Sequence, residues 1–317
     1  HTRYWRDWSS DVCSSDLRKN VTKIFYVIRR RPPSWGFFSN VIFVIQGLIY
    51  SDKNNYIPVV DMENYWVGEL SSNLKVNGTH NAWCYFFNQT SDTELAEVYK
   101  SKNVILSSGT SIMGSEYWLN DRKFSYVKDN SKLNELKFMI DKYIKLNSFV
   151  LKHLENTRIK LDWSNEEIFG VFMRGTGYQT YKGAQPIMPD VEFYIQELEK
   201  LLNKTKFSRL YVATEDFRLF LRLQKHFGAN IIMPSLRYEQ NLKLDVWEKN
   251  QDLTFDHAIL MGFDKTLTYL TETILLSQCI NYVCNLSNAS VFSIALSDLG
   301  KTQRWVIEPN KIHKLTA

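Results

Sequence analysis

The sequence predicts an α/β protein of two facing lobes, each a sheet of mainly parallel strands flanked by helices, with a cleft between them. Three observations carry that prediction. The chain has 317 residues, of which 44% are hydrophobic, enough to fill two cores. From residue 168 onward, short apolar runs alternate with amphipathic stretches, the β/α rhythm that right-handed crossovers wind into a parallel sheet. A β-loop-α-β unit opens the chain, and a long amphipathic stretch, 132–160, separates it from the second half.

The first unit begins at "KIFYVIRR" (23–30), an apolar run that reads as a buried strand. "RRPPSWG" (30–36) is a turn, with two prolines and a glycine. Residues 37–51 read as a helix, "YIPVVDMEN" (56–64) as a strand running into a loop, 93–101 as a helix and 103–106 as a short strand. Leu133, Leu136, Met139, Ile140, Tyr143, Ile144, Leu146, Phe149, Val150 and Leu154 recur at helical spacing. They predict one long helix from Lys132 to about Lys160 that bridges the lobes. The lobes are then residues 18–160 and 161–317. In the second, strand 168–174 leads to helix 190–204, strand 209–214 to helix 216–227, and strand 229–234 follows. Helix 264–279, strand 280–285, helix 289–298 and strand 303–308 complete it.

Bulk chemistry narrows the function. Net charge is +5, with Lys and Arg scattered and no dense basic tract, which argues against nucleic-acid partners. The longest apolar stretch, "WGFFSNVIFVIQGLIY" (35–50), is interrupted by Gly36, Asn40, Gln46 and Gly47 and reads as a buried helix, not a membrane span. Residues 6–17, "RDWSSDVCSSDL", look like the translation of a sequencing adapter, so residues 1–17 are set aside as a non-native leader. Cys84, Cys279 and Cys284 remain, and their irregular spacing predicts reduced thiols rather than a disulfide framework or a metal site. His80, His153, His226, His257 and His313 are scattered and read as structural.

In a doubly wound sheet, ligands bind beyond the carboxyl ends of the strands. Those ends carry Arg174-Gly175-Thr176-Gly177, then Thr214-Glu215-Asp216, then Ser287-Asn288-Ala289-Ser290. A sugar leaving a nucleotide diphosphate leaves negative charge behind, and something fixed and positive must meet it. One solution is a divalent metal on an Asp-x-Asp triplet; that triplet is absent, and the nearest match here is "DME" (61–63). The other is an arginine with backbone N–H groups at a helix start. Arg174 offers the first and Ser287, Asn288 and Ala289 the second, while Gly175 and Gly177 let the chain pass close to a ligand. Each has a plainer reading. Arg174 equally suits a structural ion pair, and both Thr214-Glu215-Asp216 and the Ser287 segment suit ordinary helix caps.

Three stretches together resemble the GT-B fucosyltransferases, especially the α-1,6-fucosyltransferase and nodulation-fucosyltransferase group in its bacterial branch. They are residues 35–66, residues 170–189 with "LYVATEDFRLFLRLQKHFG" (210–228), and "YLTETILLSQCINYVCNLSNASVFSIAL" (269–296). The resemblance, which spans nearly all of 20–310, implies two Rossmann-like lobes, a GDP-fucose donor, no metal or cofactor, and inversion at the anomeric carbon. It implies that Arg174 meets the donor diphosphate and that Glu272 contacts the guanine. It also implies that Ser287, Asn288 and Ala289 form the phosphate loop, and that Gly36, Phe37 and Asn40 belong to a first-lobe loop over the donor. The chain departs from the family at Gly177, Gln185 and Phe172, where relatives carry Asp, His and His. No carboxylate lies between Arg174 and Asp190, so the acceptor base is sought in Asp61 and Glu63, beyond a first-lobe strand.

The expectation is an inverting, metal-independent glycosyltransferase that moves fucose or a related sugar from a GDP-sugar to an oligosaccharide or polysaccharide. By analogy it works in the cytoplasm, with peripheral association at the inner membrane face. The alternative is a catalytically silent protein of the same fold that binds a nucleotide or glycan.

Overall fold

The structure, a computed structural model, describes residues 20, 22–30, 36–63, 75–76, 78–108, 127–163, 167–173, 189–233, 262–298, 300–308 and 311–315. Residues 1–17, expected to be a non-native leader, lie outside them. In the first lobe β1 (Phe25–Ile28), β2 (Ile57–Val60) and β3 (Val104–Leu106) pair in parallel in the order β2-β1-β3. β1 is central and all four of its residues are buried, as its unbroken apolar run requires. Its alternate side chains serve two cores. Tyr26 and Ile28 face α1 (Phe37–Lys53), while Phe25 and Val27 pack with Val59 and with Val98 of α2 (Leu95–Val98). Gly47 of α1 lies directly on the strand, because a Cβ there would sit 2.7 Å from Ile28 Cδ1.

The helix expected over 132–160 is two helices, α3 (Asn130–Tyr143) and α4 (Ser148–Lys160). The break has a chemical cause. Asn147 caps α4, its Oδ1 accepting from Val150 N at 2.9 Å, while its Nδ2 donates to the carbonyls of Cys84 and Tyr85 at 3.0 and 2.9 Å. Leu146 bridges Phe87 as an isolated β pair. The apolar period runs through the break because Leu133, Leu136, Ile140, Val150 and Leu154 all enter one core.

The second lobe holds β4 (Ile168–Met173), β5 (Arg209–Thr214), β6 (Ile232–Met233), β7 (Asn281–Asn285), β8 (Gln303–Glu308) and β9 (Lys311–Leu315). Their order is β6-β5-β4-β7-β8-β9, parallel except for β9, which runs antiparallel to β8. α5 (Val191–Leu202) and α6 (Phe217–Phe227) cover the face carrying Phe169, Val171 and Met173. α7 (Gly262–Gln278) and α8 (Asn288–Leu296) cover the face carrying Ile168 and Phe172. Gly170 shares that second face, where a Cβ would meet Leu276 Cδ1 at 2.7 Å and Tyr282 Cβ at 2.8 Å.

The lobes meet helix layer to helix layer. Phe38 of α1 contacts Tyr269 of α7 and Phe292 of α8, with ring centroids 4.8 and 5.4 Å apart. One buried apolar cluster runs from Ile28 and Leu48 to Leu275, Phe292 and Val306. α1 and α8 both start at the carboxyl edge of their own sheets, and the Phe38–Phe292 contact lies within the first two turns of each.

Candidate functional site

The strand order fixes where a ligand can sit. From β4 the chain winds outward to β5 and β6, then returns to β7 on the other side of β4. Helices leave opposite faces on either side of that reversal, which opens a crevice above the carboxyl ends of β4 and β7. Tyr194, fully buried on α5, ties the two strands just below it: its hydroxyl lies 3.3 Å from the Phe172 carbonyl and 3.4 Å from that of Val283. Burial pushes its pKa well above the usual phenol range, so it stays a neutral donor. β4 ends at Met173, opposite Thr214 of β5, and the chain continues directly into Arg174. Arg174, Gly175 and Thr176, with Gly177 and Gln185, lie outside the described residues.

On the other side of the crevice, β7 leads through Leu286 into α8. Ser287 is the helix cap, and its Oγ accepts from Ser290 N at 3.1 Å. Ser290 Oγ accepts in turn from Ser287 N at 2.7 Å, a reciprocal capping box. The Ser287 N–H, expected among the phosphate donors, is therefore taken. The first-turn N–H groups of Asn288 and Ala289 have no acceptor among the described residues, and a helix start of this kind favours an anion.

Thr214 and Asp216 close the end of β5. Both are buried; Thr214 Oγ1 accepts from Asp216 N at 3.1 Å, and Asp216 Oδ1 accepts from Leu219 N at 3.4 Å. They cap α6, the plainer of the two readings, and Glu215 beside them is half-buried. Glu272 is fully buried midway along α7 between Thr271 and Thr273, inside the protein rather than at a strand end.

The first lobe brings Gly36, Phe37 and Asn40 to the start of α1. Gly36 is the cap residue, without a side-chain cap bond, and Phe37 stacks on Phe87 and meets Phe86 edge-on. Sequence reasoning missed the residue that organises this turn. Arg30, two residues beyond β1, donates from Nη1 to Ser39 Oγ at 3.2 Å and to Asn40 Oδ1 at 2.9 Å. The signal was the doubled arginine that ends "KIFYVIRR".

The two base candidates differ sharply. Asp61 is fully buried; Tyr99 OH donates to its Oδ2 at 2.5 Å and Glu63 N to its Oδ1 at 3.1 Å. Glu63 is exposed. Its charge reaches Cys84 and Tyr85, whose pKa values are raised first by burial and then by this carboxylate, that of Cys84 to about 11. Cys84 lines an open cavity of about 540 Å³ together with Thr79, Phe87, Asn88, Gln89, Asn147, Phe149 and Lys152. The cavity is built on the free edge of β2, whose backbone is satisfied by side-chain amides. Gln89 exchanges bonds of 2.9 and 3.0 Å with Val60, and Asn81 Nδ2 donates to Val60 O at 2.8 Å. Phe149 in its wall touches Phe263, one residue into α7, which sets the cavity toward the carboxyl edge of the second sheet. A second cavity, about 570 Å³, lies at the opposite edge, where Gln278 and Ile280 precede β7 and Lys301 and Thr302 precede β8.

Two parallel sheets facing through their helices, the second a doubly wound sheet with its crevice at the switch point, make this a GT-B-like fold. Solved structures agree. The structure of NodZ α-1,6-fucosyltransferase soaked with GDP-fucose superposes with a TM-score of 0.56 at 13% identity, over 93% of this chain and 99% of that one. The same enzyme co-crystallised with GDP gives 0.55 at 13% identity over the same shares. Fucosyltransferase NodZ from Bradyrhizobium gives 0.54 at 14%, again over 93% and 99%. By sequence, the chain matches no family model and no curated protein. Among the described residues, no three His, Cys, Asp or Glu side chains gather to hold a metal ion, and no helix is long and apolar enough to cross a membrane.

Proposed function

We propose that the protein is a glycosyltransferase that takes its sugar from a GDP-sugar, with GDP-fucose the first candidate. It passes the sugar with inversion, and without a metal ion, to a hydroxyl of an oligosaccharide or polysaccharide. The observation that carries this reading is the adjacency of β4 and β7. The strand that runs into Arg174 neighbours the strand that runs into the Ser287-capped helix, so two anion-binding elements share one switch point. The likeness to structures solved with GDP and GDP-fucose supports the choice of nucleotide.

In this mechanism the bond from the anomeric carbon to the diphosphate oxygen breaks. Arg174 and the Asn288 and Ala289 N–H groups take up the charge that builds on the diphosphate. The acceptor hydroxyl attacks the opposite face of the anomeric carbon, and Glu63 receives its proton. Glu63 is favoured over Asp61 because it is exposed and its charge reaches Cys84 in the wall of the amide- and aromatic-lined cavity, where a sugar acceptor finds both hydroxyl partners and ring faces. Association with the inner membrane face, in the cytoplasm, stays part of the proposal on resemblance alone. Arg174→Ala tests the reading: turnover should fall by about a hundredfold, roughly 3 kcal/mol. Transfer at the parent rate would refute it.

The enclosure of Asp61 favours a second reading, a protein that binds nucleotide or glycan without turnover. GDP binding by calorimetry with neither donor hydrolysis nor transfer to a broad acceptor panel would select it.

A further inference from the structure

Arg30 is 6% exposed, and a buried cation normally has a carboxylate beside it. Arg30 has no such neighbour among the described residues. Its two hydrogen bonds go to neutral oxygens on Ser39 and Asn40, both from Nη1, and its guanidinium carbon lies 5.0 Å from the centre of the Phe43 ring. Nε and Nη2 have no partner among the described residues. Burial lowers its pKa to about 10. The residue stands at the carboxyl edge of the first sheet against the first turn of α1, where Gly36 provides no side-chain cap. The next turn residue, Phe38, touches Phe292 of α8, whose own first turn opens at the carboxyl edge of the second sheet.

We propose that Arg30 is an anion-binding residue of the first lobe, and that its ligand is the diphosphate of the sugar donor, gripped from the lobe opposite the β4–β7 crevice. The assignment of the anion rests on the glycosyltransferase reading; the missing counter-charge does not. Among the described residues nothing compensates the cation, and the diphosphate supplies two negative charges together with acceptors for the remaining N–H groups. Arg30 is then retained for binding at the expense of the empty fold. A residue whose whole task was to clamp Ser39 and Asn40 would behave in the opposite way.

The test uses the full chain with Arg30→Met and Arg30→Lys. Thermal unfolding is measured without ligand, and calorimetry with GDP, guanosine and inorganic pyrophosphate. Arg30→Met should unfold at the parent temperature or above it when empty. Its GDP affinity should fall tenfold or more, its guanosine affinity should not change, and its pyrophosphate binding should be lost. Arg30→Lys, which keeps the charge without the fork, should lose GDP affinity only a few-fold. A Met variant that melts earlier yet binds GDP like the parent would make Arg30 a structural clamp and overturn the proposal, as would equal losses for GDP and guanosine. If the parent binds no nucleoside diphosphate, the glycosyltransferase reading falls. Pyrophosphate binding that depends on Arg30 would then still establish the anion site, and its absence would remove that too.

Discussion

Phe38 and Phe292 meet between the lobes with ring centroids 5.4 Å apart and planes inclined at 45°. They are 3% and 1% exposed, so the contact lies inside a core shared by both sheets. Truncating Phe292 to alanine should cost about 3–5 kcal/mol, the usual range for a buried phenylalanine. Because the core is shared, scanning calorimetry of the parent should give one endotherm. Two well-separated transitions would mean that the lobes fold independently.

Asp61 and Glu63 should separate cleanly by substitution. Asp61→Ala removes the acceptor of the Tyr99 hydroxyl in a buried position, and a hydrogen bond to a charged group is worth about 1.5–3 kcal/mol. Urea unfolding should register a loss of that size. Glu63→Gln, at an exposed position, should leave the urea midpoint in place; if Glu63 is the general base of the proposed transfer, it should also slow that transfer by about a hundredfold or more. Loss of activity without loss of stability in the Asp61 variant would reverse the assignment.

Gly170 should not tolerate a methyl group. An alanine Cβ would lie 2.7 Å from Leu276 Cδ1, 2.8 Å from Tyr282 Cβ and 3.0 Å from Cys279 Sγ. These atoms belong to a packed strand–helix layer, so relief requires α7 to move. Overpacking of this kind costs about 1–3 kcal/mol, and Gly170→Ala should lower the melting temperature accordingly. An unchanged melting point would show that the α7 layer is looser than its geometry indicates.

Cys84 gives a pH signature. Burial, helped by the Glu63 charge, raises its pKa from about 9 to about 11. A folded-state pKa above the unfolded one contributes stability that is complete below pH 9 and is lost as the pH climbs through 11. Thiol chemistry offers the sharper measurement, because the thiolate is the nucleophile. Although it lines an open cavity, Cys84 should react with iodoacetamide at pH 8 far more slowly than the same thiol in the unfolded chain, and Glu63→Gln should speed it. Equal rates for folded and unfolded protein would contradict the placement.

The strands of the second lobe were legible because each is an apolar run bounded by a helix period, and β5 and β8 fall at the residues expected, 209–214 and 303–308. β9 was not legible. "KIHKL" is an edge strand with one buried residue, too polar to stand out. The break between α3 and α4 was hidden for the opposite reason: the apolar pattern continues across it, and only the bonds of Asn147 to distant carbonyls reveal it. At the site, sequence located the strand ends but could not tell a cap from a donor. Ser287 proved to spend its N–H on Ser290, a choice decided by rotamers rather than composition. Nor could sequence rank Asp61 against Glu63, two residues apart, because burial depends on Tyr99, which is 38 positions from Asp61.

The apolar seam of α1, α7 and α8 bears on how such a protein would cycle. Jaws joined through Phe38, Tyr269 and Phe292 cannot gape without wetting the residues that hold them shut. A ligand held between such halves would come and go along the rim of the strand ends, without a swing of one half against the other.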